Sequence, residues 1–221
     1  MAFDRLWLCF VVQVEAIKAL MSVGVAHRDI KADNVLINPD TLQIKLIDFG
    51  LATILERLDE HSQDNQFIGT PIYMAPDVLK GFGSYGIVAS DLYSVGVLFW
   101  EMLLGAHPFR EIDSTQTLLR LQRKVALSHF AHFDVAAQCV LVGLLAPREQ
   151  HRTKLRDARK LLKSLTTQGV PAAQLNAMLR EQHAQSAMAD ALEQSASTSL
   201  SSSNTSSSSS SSSSFFNRHF N

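Results

Sequence analysis

The stretch His27-Arg28-Asp29-Ile30-Lys31-Ala32-Asp33-Asn34 decides how this chain is read. Taken alone, a His-Arg-Asp triplet is most often a surface turn. Downstream stand Asp48-Phe49-Gly50 and then Gly69-Thr70-Pro71-Ile72-Tyr73-Met74-Ala75-Pro76-Asp77. Each is short enough to arise by chance, but their order is not. Asp29 and Asp48 are 19 residues apart, and two short β-type runs fit between them. Those runs, Val35-Leu36-Ile37 and Ile44-Lys45-Leu46-Ile47, flank Asn38-Pro39-Asp40, whose residue types favour a turn.

Working outward, residues 5–22 read as one helix, apolar almost all round and therefore buried, with Gly24 as its stop. Ser90-Asp91 opens a second strongly apolar helix that runs to Leu104 and ends at Gly105 and Pro108. Further helical patterns cover 114–127, 134–145 and 153–165. Residues 51–70 read as polar and irregular. The composition changes after residue 165. Residues 166–194 read as a linker or a weak Ala/Gln-rich helix, and residues 195–221 as a disordered Ser-rich tail. From Ser195 to Ser214, 15 of 20 residues are serine, and such a stretch cannot bury enough apolar surface to fold. Phe215-Phe216-Asn217-Arg218-His219-Phe220-Asn221 reads as an incidental end in preference to a docking peptide.

The chain has 221 residues, 46% apolar and 19% charged, with a formal net charge of −1. That suffices for one sizeable domain and argues against a basic nucleic-acid binder or an acidic solvating protein. Arg148, Arg152, Lys154, Arg156, Arg159, Lys160 and Lys163 alternate with Leu155, Ala158, Leu161, Leu162 and Leu165 at helical spacing. They read as a solvated helix face, with neither nucleic acid nor a membrane as partner. Cys9 and Cys139 read as buried thiols in a reducing compartment. His129 and His132 have no third ligand at hand, so no structural metal is expected. Leu6–Val12 resembles the middle of a signal peptide, but Asp4 and the lack of a small-residue cleavage site favour a buried helix. No apolar run reaches the roughly 20 residues that span a bilayer. The chain is expected to be soluble and cytoplasmic or nuclear.

The three motifs, in this order, resemble the catalytic half of the eukaryotic protein kinase fold, Ser/Thr type. The resemblance covers about residues 5–165. It implies an α+β architecture: a mainly helical C-terminal lobe with a short β hairpin at the catalytic loop. It implies Mg²⁺-ATP as phosphoryl donor and a protein Ser/Thr hydroxyl as acceptor. Asp29 would accept or orient the acceptor proton, Lys31 would reach the transferring phosphate, and Asn34 and Asp48 would hold Mg²⁺. Thr70 would bond Asp29 and Lys31. Lys31 and Thr70 both point to Ser/Thr and not tyrosine acceptors. His27, Arg28, Phe49, Gly50, Asp77, Asp91 and Arg152 take structural or regulatory roles by the same resemblance. Asp91 would accept backbone N–H bonds from the catalytic loop, although a plain N-terminal helix carboxylate would occupy the same place. Asp33 reads as a solvated loop carboxylate.

The departures set further expectations. The family's small ATP-clasping lobe, with its Gly-rich loop, strand lysine and partner glutamate, is expected to be missing, because Met1 lies almost at the first helix. No Gly-x-Gly-x-x-Gly is expected anywhere in the chain. The isolated chain is then expected to be inactive without that lobe or a partner. The alternative is a truncated kinase-like (pseudokinase) binding module without catalysis. Asp77 stands where the family carries glutamate, so its carboxylate is expected to fall one methylene short of Arg152, and Ala146 replaces an aspartate. The segment after Gly50 is acidic, with Glu56, Asp59, Glu60 and Asp64 against Arg57. Ser62 and Thr53 are its candidate phosphorylation sites, and Arg28 is the candidate phosphate sensor.

Overall fold

The computed structural model describes residues 2–38, 41, 43–55, 63–64, 66–81, 85–112, 114–125 and 127–167. The Pro39-Asp40 turn, Ser62, the linker beyond residue 167 and the Ser-rich tail lie outside the described residues. The apolar run predicted as a first helix forms α1 (Ala2–Ser22). Gly24 closes it with φ +75°, its N–H donating to Met21 O at 3.0 Å. A left-handed residue at this position suits glycine, which carries no Cβ to clash.

Three short antiparallel pairs follow. β1 (Val25–Ala26) pairs with β4 (Thr53–Ile54). β2 (Val35–Ile37) pairs with β3 (Ile44–Leu46), Val35 opposite Leu46 and Ile37 opposite Ile44. β5 (Gln63–Asp64) pairs with β6 (Tyr85–Gly86). The hairpin at the catalytic loop is thus present. Ile47, expected as the end of its second strand, instead donates its N–H to Asn34 O. The segment 51–70 is not wholly irregular, because β4 and β5 lie in it. Thr53 is consequently a strand residue opposite Ala26.

α2 (Pro76–Leu79) precedes α3 (Ile87–Leu104), the central element. α3 begins earlier than Ser90-Asp91, so Asp91 lies inside the helix and is not its N-terminal carboxylate. It ends at Gly105, with φ +72°. α3 is, by length and composition, long and apolar enough to cross a membrane, which corrects the expectation that no run qualifies. Most of it is buried inside the fold.

α4 (Thr115–Arg123), α5 (Val135–Leu144) and α6 (Leu155–Thr167) complete the set. Asp134 caps α5, its carboxylate accepting the N–H groups of Ala136 and Ala137, and Ser114 caps α4. α6 runs two residues past the expected 165.

α3 packs against α1, α5 and α6. The rings of Phe10 and Phe99 stack at 4.3 Å, and Trp100 meets Phe109 and Phe130 edge-on. Gly96 lets α5 approach closely: a Cβ there would lie 2.9 Å from Leu144 Cβ. Cys9 and Cys139 are buried and form no disulfide.

Gly81-Phe82-Gly83-Ser84-Tyr85-Gly86 spells Gly-x-Gly-x-x-Gly, which corrects the expectation that the chain holds no such sequence. Its context is not that of a phosphate loop. The stretch lies after α2 and ends in β6, where Gly86 N–H donates to the Glu149 carboxylate at 2.7 Å.

Candidate active site

The site is built from the turn between β1 and β2. Asp91 of α3 holds that turn from below, its two carboxylate oxygens accepting the backbone N–H groups of His27 and Arg28 at 2.9 Å each. Asp91 is buried, and burial pushes its carboxyl upward against the pull of these N–H groups. Arg28 adopts a left-handed conformation, φ +68°, which costs a non-glycine residue about 1–3 kcal/mol. The surrounding bonds hold it there. His27 Nε2 lies 3.0 Å from Ile47 O, and its ring packs on Phe49 at 4.8 Å.

Asp29 is 6% exposed, and both its oxygens are engaged. Oδ1 accepts the N–H of Thr70 at 2.9 Å and its hydroxyl at 2.7 Å. Oδ2 lies 2.8 Å from Lys31 Nζ and accepts from Asn34 Nδ2 at 3.1 Å. Lys31 Nζ also donates to Thr70 Oγ1 at 2.9 Å. Burial raises the Asp29 carboxyl, but the hydrogen bonds from Lys31 and Thr70, together with the Lys31 charge, outweigh it and hold the group below its ordinary 3.8. Asp29 is therefore ionised at neutral pH. The four residues that the resemblance marks as catalytic, Asp29, Lys31, Asn34 and Thr70, form one hydrogen-bonded cluster.

Asn34 donates to Asp29 O as well, at 2.8 Å. With its amide nitrogen committed twice, its carbonyl oxygen is the group it can offer a cation. Asp48 follows β3, exposed and left-handed at φ +60°, with Oδ1 accepting Gly50 N–H at 3.2 Å. A neutral amide oxygen and an exposed carboxylate are hard-oxygen donors of the kind Mg²⁺ takes.

Arg28 turns its guanidinium toward β5. Nη1 lies 2.9 Å from Asp64 Oδ2, and Nη2 donates to Gln66 Oε1 at 3.0 Å. Asp77 does reach Arg152, with Nη2 to Oδ2 at 2.7 Å, so the expected shortfall of one methylene is corrected. The buried guanidinium also donates to Ala89 O and Ala146 O and lies over the Tyr93 ring.

Several contacts of this neighbourhood had no sequence signal to point to them. Tyr73 donates its hydroxyl to Glu101 Oε2 at 2.5 Å. Burial, reinforced by Glu101, pushes the Tyr73 phenol far upward. Gln66 and Glu149 likewise reach side-chain or backbone partners distant in sequence, Arg28 and Gly86.

A family model described as the protein kinase domain matches residues 8–166. The chain is 34% identical over 139 residues to serine/threonine-protein kinase AtPK1/AtPK6 of Arabidopsis thaliana, covering 63% of this chain and 28% of the relative. It is 37% identical over 144 residues to cell division control protein 7 of Schizosaccharomyces pombe, covering 65% and 13%. It is 36% identical over 137 residues to the human testis-specific serine/threonine-protein kinase 3, covering 61% and 48%. In each case the chain spans less than half of the relative's length.

Proposed function

The chain belongs to the protein kinase domain family, and from that premise we propose that its site transfers the γ-phosphoryl group of ATP to Ser/Thr hydroxyls of proteins. The observation that carries this reading is the cluster of Lys31, Asn34 and Thr70 around Asp29. In the transfer, the acceptor oxygen bonds to the γ-phosphorus as the bond to the ADP oxygen breaks, and the acceptor proton leaves toward Asp29. A carboxylate held below its ordinary pKa is a weak base but a firm hydrogen-bond acceptor, so Asp29 chiefly orients the hydroxyl. Its lone pairs are filled in the resting site. Lys31 frees one when Nζ turns from Oδ2 to the transferring phosphate, which couples arrival of the donor to readiness of the acceptor site. Thr70 keeps Asp29 oriented meanwhile. Asn34 Oδ1 and Asp48 would hold Mg²⁺, which supplies charge neutralisation for the phosphates when bound.

The proposal includes a division of labour. The matched region supplies the acceptor half of the chemistry, as a C-terminal lobe does, and the nucleotide is clasped by a further lobe or partner. Supporting this, Val23, Leu36, Ile37, Phe49, Leu51 and Ile54 are exposed apolar side chains on or beside β1, β2 and β4, and Ile54 is 82% exposed. Apolar groups gathered in this way favour a covering partner.

The test assays the 221-residue chain and a fusion to an upstream kinase ATP-binding lobe, each beside its Asp29→Asn variant. The expected result is Asp29-dependent transfer by the fusion and almost none by the chain, since orienting two reactants is worth roughly 7–11 kcal/mol of barrier. Robust transfer by the chain alone would overturn the division of labour. A silent fusion would overturn catalysis and favour a binding module.

A further inference from the structure

Building on the phosphotransfer reading, we propose that Asp64 is a positioning residue that holds Thr70 on Asp29 with no phosphate on the segment after Gly50. The inference starts from Arg28. Its side chain is only 8% exposed, and a guanidinium so far from water needs a fixed anion. The left-handed backbone and the Asp91 bonds aim it at β5.

There the anion is part of the chain. Asp64 pairs through its backbone with Tyr85, and its carboxylate meets Arg28 Nη1 at 2.9 Å. Gln66 fills Nη2 with its side chain, while its carbonyl accepts the Tyr85 hydroxyl at 2.8 Å. Gly69 then passes so close to Arg28 O that a Cβ would lie 2.5 Å from it. Thr70 follows with two bonds to Asp29. The segment is therefore clamped at both ends to the adjacent pair Arg28-Asp29: Asp64 and Gln66 on one residue, Thr70 on the other.

A carboxylate carries its charge without a modifying enzyme, whereas phosphorylation adds charge only on demand. Here both Nη groups of Arg28 are engaged already. Its Nε is buried and has no acceptor among the described residues, so an added phosphate would find one N–H and not the full fork. The site is set in place constitutively, and the alternative of Ser62 as a switch loses its receptor.

The experiment follows amide hydrogen exchange by NMR in the 221-residue chain after phosphatase treatment. The Thr70 N–H reports directly on its bond to Asp29. The expected result is slow exchange at Thr70 in the treated wild type, accelerated about tenfold in Asp64→Asn, the loss of one charge-assisted bond. Asp64→Glu should restore protection, the α3 amides Val95 and Leu98 should be unchanged, and Asp64→Asn should add nothing in an Arg28→Ala background. Phosphatase treatment that itself unprotects Thr70, or an Asp64→Asn chain with wild-type exchange there, would overturn the proposal. No transfer is measured, so a chain without kinase activity leaves this result standing and overturns only the function proposed above.

Discussion

The Asp77 carboxylate meets the Arg152 guanidinium at 2.7 Å across 75 residues of sequence, tying α2 to the turn before α6. The guanidinium is 1% exposed, so removing its anion leaves a buried charge. Asp77→Ala is expected to cost about 3–5 kcal/mol in urea-induced unfolding. Asp77→Glu, which keeps the charge, should cost much less. Equal losses in the two variants would mean that packing and not charge dominates.

Gly69 stands at φ +118° against Arg28 O. Gly69→Ala is expected to destabilise by about 1–3 kcal/mol through backbone strain and to expose 66–70 to proteolysis before the core helices open. Unchanged cleavage at that segment would contradict the close approach.

Asp29 contributes to stability in a pH-dependent way. Its carboxyl is held below its unfolded value, so its stabilisation is fully present above about pH 4 and is lost as the pH falls through the folded value. The stability difference between wild type and Asp29→Asn should therefore be level above about pH 5 and shrink below about pH 4. Parallel pH curves for the two proteins would reject this. Within neutral buffers Asp29 stays ionised, so any acid limb of transfer near pH 6 must come from another group.

Phe10 is fully buried against Phe99 at the α1–α3 contact. Phe10→Ala is expected to cost about 3–5 kcal/mol, read as a lower urea midpoint with a similar slope. A loss below about 1 kcal/mol would show that α1 docks weakly.

The sequence was legible wherever a physical requirement is local. An apolar run with glycine behind it must bury itself, hence α1 and its stop at Gly24. β-type runs around an Asn-Pro-Asp turn can pair with each other directly, hence β2 and β3. Asp29, Lys31 and Asn34 sit within six residues, so one turn can gather them. Local pattern failed where a partner lies far along the chain. α3 starts at Ile87 and not Ser90, directly after a strand that pairs with β5, and no periodicity records that pairing.

By itself, then, the sequence determined the helices that had to be buried and the polar types gathered on one loop. Tertiary structure alone decided which acid serves which base. Four acidic residues of the segment 51–69 were equivalent on paper; Asp64 takes Arg28 because β5–β6 pairing brings it there. Asp77 reaches Arg152 although its side chain is short, with Nη2 2.7 Å from Oδ2. Ion pairing depends on distance in space, and a charge pattern along a chain carries no distance until the core has packed.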